Sequence, residues 1–264
     1  MGLAEALLDL QGLTRQLRRD CPWDREQTER TIVPHTVEEA YEVADAAIAG
    51  DAGELHGELG DLLFQVYFLA LLLEEQGQGD LESVARDVHE KLVRRHPHVF
   101  ADGDAQTPGR VRERWEELKT ELEGREGIFH DVPDSLPALL QARKVQRRAA
   151  TVGYDWPDLA GPLAKMREEL DELTSALERA GEPLPETEPD DDVFHEIGDV
   201  LFTLVNVARR LNVDPELALR ATTRRFTSRV EHAEELAAGE GIEWRSLDLD
   251  AQDEYYERAK ERTG

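Results

Sequence analysis

One sixteen-residue segment occurs twice in this chain of 264 residues. The first copy, "ELGDLLFQVYFLALLL", begins at Glu58, the second, "EIGDVLFTLVNVARRL", begins at Glu196, and seven of their sixteen positions are identical. In each copy two acidic residues three positions apart precede a run of apolar residues. That spacing places both carboxylates on one face of a helix, one turn apart. A repeat of this length predicts a fold made of two related units.

Other features recur in the same order around the two copies. Upstream lie a tryptophan and then an acidic cluster, which are Trp23 and "EEAYE" (residues 38–42) in the first half and Trp156 and "EELDE" (residues 168–172) in the second. Downstream lie a basic pair at i, i+4 and an aromatic residue followed four positions later by lysine. These are Lys91, Arg95, Trp115 and Lys119 in the first half, and Arg225, Arg229, Tyr256 and Lys260 in the second. The order indicates a tandem duplication, with an N-terminal domain at residues 1–130, a C-terminal domain at 131–264 and the linker at about 124–150.

The periodicity of the chain is helical, and segments that alternate like strands are scarce. Apolar residues near the N-terminus recur at intervals of three and four, as in Leu3, Leu7, Leu10, Leu13 and Leu17. We expect a helix that begins with Thr36 as its N-cap and ends at Gly50, and another from Leu81 to Arg95. The fold class expected is therefore all-α, with two tandem helical bundles.

The paired acids predict a metal site in each half. If two such helices packed antiparallel, four carboxylates would meet, and their mutual repulsion would require a cation. Oxygen ligands favour hard ions, so Mg²⁺ is expected, with Mn²⁺ as a substitute. The expected ligands are Glu39, Glu42, Glu58 and Asp61 in the first half, and Glu169, Glu172, Glu196 and Asp199 in the second.

Two alternatives to such a metal site were weighed. A single acidic pair would ordinarily be solvated surface in a chain with 58 acidic residues, but recurrence beside the most apolar helices favours metal binding. A di-iron carboxylate bundle requires Glu-x-x-His on two helices, and no histidine of this sequence follows a glutamate at that spacing.

The basic pairs indicate what the metal would act upon. Lysine and arginine bind phosphate oxygens, and Mg²⁺ in proteins is commonly shared with substrate phosphates. Acids, metal and bases together favour phosphoryl or pyrophosphoryl chemistry on a nucleotide. The alternatives are that the basic residues are solvated helix faces and that the aromatic residues serve packing. Neither a P-loop nor a dinucleotide-binding glycine motif is present.

Composition excludes several classes of function. The net charge of −27 opposes binding to DNA or RNA. The longest apolar run is too short to span a bilayer, the N-terminus does not resemble a signal peptide, and a single cysteine permits no internal disulfide. We expect a cytoplasmic protein with no membrane or nucleic-acid partner.

Several segments together resemble the MazG family. They are "CPWDREQT", "EEAYE", "GELGDLLFQV", "RRHPHVF", "VGYDW" and the second "EELDE" with "EIGD", which extend over nearly the whole chain. The resemblance implies an all-α nucleoside triphosphate pyrophosphohydrolase that cleaves between the α- and β-phosphates, releases the monophosphate and pyrophosphate, and needs Mg²⁺. It also implies a homodimer and a role in clearing unwanted nucleotides from the pool.

The resemblance assigns roles to individual residues. It makes the eight acids named above metal ligands, and it gives Glu38, Glu39, Glu168 and Glu169 roles in orienting or deprotonating the attacking water. Phosphate or base contacts fall to the recurrent basic and aromatic residues named above, and to Lys144 and Arg148 of "KVQRR". Arg225, Thr223 and Tyr256 depart from the family pattern, which has Lys, Asn and Trp at those positions.

Which half turns over substrate is a separate question. We expect the second half to be the main catalyst, as the resemblance implies for two-domain members, although the first half retains Lys91, Arg95 and Trp115. A nucleotide-sensing or regulatory helical dimer without turnover, including one that acts with a toxin–antitoxin system, is an alternative. A purely structural helical scaffold is another.

Overall fold

The structure is a computed structural model that describes residues 2–101, 127–129, 132–181, 188 and 190–263. Every regular element in these ranges is a helix, which confirms the all-α prediction. The chain divides into two compact units, Met1–Arg125 and Glu126–Gly264. The domain boundary near residue 130 stays a prediction, because its neighbourhood lies largely outside the described residues.

The first unit is built on a helical hairpin. Its helices are α1 (Leu3–Asp20), α2 (Pro22–Glu26), α3 (Glu29–Ala49), α4 (Ala52–Glu75), α5 (Leu81–Arg95) and α6 (Pro97–Phe100). Helices α3 and α4 pack along each other, and α1 packs against α4. Gly50 closes α3 at φ 73°, as a left-handed C-cap requires, and the Asp51 carboxylate accepts the first backbone N–H groups of α4. The core between the helices contains Ile32, Phe68 and Leu72.

Two predicted helix boundaries can be compared with the structure directly. The helix from Leu81 to Arg95 and the stop at Gly50 are confirmed. The start at Thr36 is wrong, because α3 begins two turns earlier with Thr28 as its N-cap. There the Thr28 backbone N–H donates to Thr31 Oγ1 at 2.8 Å, so this N–H group at the start of the helix has a hydrogen-bond partner. Thr36 lies inside the helix, and its hydroxyl donates to the Ile32 carbonyl at 3.4 Å.

The second unit has a matching hairpin. Its helices are α7 (Ala138–Thr151), α8 (Ala160–Ala180), α9 (Asp191–Arg210), α10 (Pro215–Gly239) and α11 (Leu249–Thr263), with a 3₁₀ turn at Trp244–Ser246. Helices α8 and α9 pack along each other as α3 and α4 do, α10 pairs with α11, and α7 lies against α9 and α10. Small residues of α10 and α11 allow close packing around Tyr255; they are Ala233, Ala237 and Ala259.

Among the helices of the described ranges, α4 is the one long and apolar enough to cross a membrane. It packs against α3 and α1, and Phe68 is fully buried there. Core helices of water-soluble folds have the same length and composition. The feature is therefore weak evidence for a membrane span.

Candidate metal centres

The first acidic cluster follows from the symmetry of the α3–α4 hairpin. Glu42 and Glu58 are each eight residues from Gly50, and Glu39 and Asp61 are each eleven. Because the chain reverses direction at Gly50, residues equally distant from it along the two helices come side by side. The turn therefore converts two Glu-x-x-acid spacings into one group of facing carboxylates.

Three of the four predicted first-half ligands meet closely. One carboxylate oxygen from each of Glu39, Glu58 and Asp61 lies within 4.8 Å of the other two. Desolvation and the negative charges of Asp61, Glu42 and Glu58 raise the pKa of Glu39. Desolvation and the adjoining Glu42 raise the pKa of Glu58 in the same way. Glu42 therefore lies beside the cluster, although it stands outside the closest group of three.

The second hairpin forms the equivalent group. Oxygens of Glu169, Glu196 and Asp199 lie within 4.8 Å of one another, and the Glu169 residue is buried at 5% exposure. Desolvation raises the pKa of Glu172 against the opposing charge of Lys165, and the neighbouring Glu169 and Glu196 add to the rise. The fourth predicted ligand again lies next to the closest three.

The two clusters differ in a cation that the sequence analysis did not include. Lys165 Nζ lies 2.7 Å from Glu168 Oε1 and 2.8 Å from Glu169 Oε1. The hydrogen bonds to Glu168 and Glu169 raise the pKa of Lys165. Lysine three and four residues before two glutamates is the spacing of helical ion pairs, so the pair could have been predicted from the sequence.

The donor set of both clusters fits a hard divalent cation. All the converging atoms are carboxylate oxygens, which Mg²⁺ and Mn²⁺ prefer as ligands. Desolvation, and after it the repulsion of the neighbouring acids, raises the pKa of Glu39 and of Glu58. A divalent cation would supply the missing positive charge. The acidic clusters are thus compatible with a divalent-metal site, and the identity of the metal is a proposal.

The two further candidate catalytic acids are exposed and lie next to the clusters. Glu38 Oε2 is 3.7 Å from His35 Nδ1, and Glu168 accepts from Lys165. Each precedes a cluster ligand, Glu39 or Glu169, by one residue. Their side chains therefore lie beside the helix face that carries the ligands. A carboxylate at this position is within reach of a water molecule next to a bound cation.

The predicted phosphate contacts of the second half lie on the α10–α11 pair. Arg225 is exposed on α10 and donates to Thr222 Oγ1 at 3.3 Å, and Arg229 is on the same helix. On α11, the Tyr256 ring lies 5.8 Å from the Phe226 ring of α10, and Lys260 Nζ is 5.1 Å from the Tyr256 centroid. These four residues thus lie on the paired helices α10 and α11, which are not the helices that carry the acids.

The remaining predicted contacts are distributed more widely. Lys91 and Arg95 lie on α5, and Lys144 and Arg148 lie on α7. Arg148 is only 4% exposed, so its side chain is part of the packing of the second unit. Trp115 and Lys119 lie outside the described residues. The roles of all these residues stay predictions.

A partly buried arginine holds the segment that contains the tryptophan of each half. In the first half, Arg18 Nη1 donates to the backbone carbonyls of Asp24, Arg25 and Gln27 at 2.6–3.0 Å. In the second, Arg209 pairs with Asp155 at 2.6 Å, and Arg210 pairs with the same carboxylate at 3.2 Å. The sequence analysis did not predict these anchors, because their partners lie more than fifty residues away in the second half.

Comparisons with known proteins identify one family. A model of the MazG nucleotide pyrophosphohydrolase domain matches the chain twice, at residues 27–100 and 161–233. The two matches contain both acidic clusters and confirm the tandem arrangement.

The chain is similar to known proteins over nearly its full length. The chain is 40% identical to the nucleoside triphosphate pyrophosphohydrolase of Escherichia coli (strain K12), across 98% of each protein. It is 39% identical to the nucleoside triphosphate pyrophosphohydrolase/pyrophosphatase MazG of Thermotoga maritima, across 91% of this chain and 89% of that protein. A crystal structure of a mazG-related protein from Thermotoga maritima matches 44% of this chain and 98% of its own, at 28% identity and a TM-score of 0.38.

Proposed function

This chain belongs to the MazG family of nucleotide pyrophosphohydrolases, and from that premise we propose a specific reaction for it. It hydrolyses nucleoside triphosphates between the α- and β-phosphates, with Mg²⁺ as the cofactor and Mn²⁺ as a substitute. The products are the nucleoside monophosphate and pyrophosphate. We assign it a cytoplasmic role in removing unwanted nucleotides from the pool.

One observation carries the proposal: each unit brings three carboxylate oxygens within 4.8 Å of one another. Carboxylates at this distance repel unless a cation or protons compensate them. A divalent cation bound there would neutralise charge on the phosphate oxygens of a triphosphate. The family supplies the substrate class, and the oxygen ligands support the choice of Mg²⁺.

The side chains of each cluster, and the exposed glutamate beside it, have different roles in the proposed reaction. Glu58 and Asp61, with Glu196 and Asp199 in the second unit, would hold the cation from one helix of each hairpin. Glu39 and Glu169 would hold it from the other helix. This leaves Glu38 and Glu168, which are more exposed, to orient a water molecule against the α-phosphorus.

Proton transfer from that water completes the step. We assign the general base to Glu39 or Glu169, because each belongs to its cluster and directly follows the exposed glutamate that would orient the water. The water oxygen forms the new bond to the α-phosphorus, the bond to the bridging oxygen breaks, and pyrophosphate leaves.

The direct test is to identify the phosphate product with and without Mg²⁺. Purified protein is incubated with a panel of ribo- and deoxyribonucleoside triphosphates, and pyrophosphate and orthophosphate are measured separately. We expect pyrophosphate release that requires the metal and is lost in Asp199→Ala. Stepwise release of orthophosphate, or no turnover with any nucleotide, would contradict the proposal.

A homodimer is the second part of the proposal. On α4, Leu59, Leu63 and Val66 form a stripe at i, i+4, i+7 and are 51%, 38% and 40% exposed. The equivalent residues of α9 form the same stripe and are as exposed; they are Ile197, Leu201 and Leu204. Contiguous exposed apolar residues are typical of contacts between proteins, and most soluble oligomers are homo-oligomers.

The oligomeric state can be tested with charged substitutions on these stripes. We expect Leu63→Glu and Leu201→Glu to reduce the mass in solution, measured by light scattering, from dimer towards monomer. Leu249→Glu is the matched control, because Leu249 is 78% exposed on α11. A wild-type protein that is monomeric at micromolar concentration would contradict this part of the proposal.

A further inference from the structure

The two acidic clusters share their ligands but differ at one helical position. Three residues before the exposed glutamate of each cluster, the first half has His35 and the second half has Lys165. Both lie on the first helix of their hairpin, on the same face as the ligand Glu39 or Glu169 and one turn before it. The two halves therefore allow an acidic cluster with a neighbouring lysine to be compared with one that lacks it.

Lys165 is held directly on a predicted metal ligand. Its Nζ contacts Glu169 Oε1 at 2.8 Å as well as Glu168 Oε1 at 2.7 Å. The Glu169 side chain is only 6% exposed, so little water competes for that oxygen. The ammonium group thus lies where a metal cation would bind, and it already neutralises part of the negative charge of the cluster.

His35 does not play this part in the first half. Its Nδ1 is 3.7 Å from Glu38 Oε2, which is longer than a hydrogen bond. The ring instead packs edge-on against Trp23, with centroids 5.7 Å apart at 70°. Within the part of the chain that the structure describes, Glu39, Glu58 and Asp61 form no ion pair.

We propose that Lys165 is a built-in counter-ion of the second acidic cluster, which makes the two metal sites unequal. The first cluster binds a free divalent cation more tightly, and the second binds one only when Lys165 withdraws from Glu169. This inference rests on the proposed function in one respect, namely that both clusters bind Mg²⁺ or Mn²⁺. It adds a positioning role for a residue that the repeat does not conserve between the halves.

The expected size of the effect follows from Coulomb's law. A unit positive charge a few ångströms from a divalent cation in a partly desolvated site weakens binding by roughly tenfold. The loss includes both the repulsion of the cation and the separation of Lys165 from Glu169. Removal of the Lys165 charge should therefore tighten the second site by about the same factor.

The test is a titration of the nucleotide-free, full-length protein with Mn²⁺, with free Mn²⁺ measured by electron paramagnetic resonance. We expect two classes of site whose dissociation constants differ by about tenfold. Asp61→Ala should remove the tighter class, and Asp199→Ala the weaker. Lys165→Met should tighten the weaker class by about tenfold and bring the two classes together.

Two matched variants complete the design. Lys165→Arg keeps a positive charge beside the second cluster and should therefore keep that site the weaker of the two. His35→Lys places the lysine in the first half and should weaken the tighter class. Circular dichroism without metal checks folding, and if Lys165→Met does not fold, Lys165→Gln and His35→Lys carry the test.

The outcomes separate this inference from the proposed function. Equal affinity of the two sites in wild type, or unchanged binding in Lys165→Met, would overturn the inference while pyrophosphate release continued. An absence of Mn²⁺ binding at both clusters would also overturn it, and pyrophosphate release on the same preparation would then decide the proposed activity separately. A lack of pyrophosphate release with unequal metal binding intact would refute the function alone.

Discussion

The two halves of this chain hold the same carboxylates in different electrostatic surroundings. In the first, Glu39 and Glu58 have raised pKa values through desolvation and mutual repulsion. In the second, Lys165 contacts the buried Glu169 at 2.8 Å. The duplication has thus kept the ligand spacing while the charge beside it diverged. The comparison teaches that an identical motif does not imply an identical site.

A second contrast concerns the turn that carries the tryptophan of each half. Arg18 reaches the first turn from the helix before it and binds backbone carbonyls. Arg209 reaches the second turn from the second helix of the hairpin and binds the Asp155 side chain. Both turns are held by a partly buried arginine, but the second depends on a carboxylate that can be substituted. That difference makes the second anchor the easier one to break.

The largest expected effect distinguishes the catalytic roles of the halves. Glu172→Ala should lower Mg²⁺-dependent pyrophosphate release roughly 100-fold or more, because it removes a charge that positions the cation and phosphate. Glu42→Ala, its counterpart in the first half, should lower it less than about threefold. The measurement is the steady-state rate of pyrophosphate release on each full-length variant. Equal losses in the two variants would contradict a dominant second half.

A steric difference should appear in stability. A Cβ on Gly161 would lie 2.0 Å from Trp156 Cδ1, so Gly161→Ala must displace the indole at the start of α8. We expect a loss of about 1–3 kcal/mol in the free energy of unfolding. Gly12→Ala in α1, where an added Cβ would meet no atom within 4 Å apart from its chain neighbours and its own helix backbone, is the control and should stabilise by about 0.5–1 kcal/mol. Thermal unfolding measures both, and equal melting temperatures would contradict the contact.

The arginine anchor of the second half should contribute stability that disappears at low pH. Although burial raises it, hydrogen bonds from Arg209 and the charges of Arg209 and Arg210 lower the pKa of Asp155 below 3.8 overall. Asp155→Asn should cost about 2 kcal/mol at neutral pH. Because the pKa is lowered in the folded state, that contribution is present above pH 3.8 and disappears as the pH falls through the folded pKa.

The first-half control for this prediction is Glu75→Gln. The hydrogen bond from Arg18 lowers the pKa of Glu75, but the Glu75 side chain is 41% exposed against 19% for Asp155. The loss should therefore be below about 1 kcal/mol. Urea unfolding at neutral pH compares the two, and a larger loss in Glu75→Gln would reverse the ranking of the anchors.

The smallest expected effect concerns the melting temperature of the metal-free protein. Substitution of Glu39 should shift it in the opposite direction from substitution of the equivalent Glu169. The pKa of Glu39 is raised above 4.5 by desolvation and the adjoining acids, so its carboxylate is destabilising once the pH exceeds the folded pKa. Glu39→Gln should raise the metal-free melting temperature at neutral pH and have no effect near pH 4. Glu169→Gln should lower it, because Lys165 then loses its buried partner. Shifts of the same sign in both variants would show that Lys165 does not distinguish the clusters.

Much of the candidate site could be predicted from residue spacing. Glu58 and Asp61 repeat as Glu196 and Asp199 beside an apolar run, and helical geometry alone places each pair on one face. The start of α3 was predicted wrongly at Thr36, because several threonines of that segment satisfy an N-cap pattern and only the hydrogen bonds of Thr28 select among them. Lys165 was overlooked although its spacing from Glu169 is helical, since many such spacings occur in a highly charged chain.

The sequence by itself determined that the protein is all-α and duplicated, because period and repeat can be read along the chain, and its similarity to known sequences determined the MazG family. It also determined which carboxylates share a helix face. Only the tertiary structure decided which acids meet across the hairpin and which of them Lys165 neutralises. It alone also showed that Arg148 is buried and that Arg209 reaches Asp155. These facts depend on distances between helices, and the balance of desolvation against charge at a cluster exists only once those helices have packed.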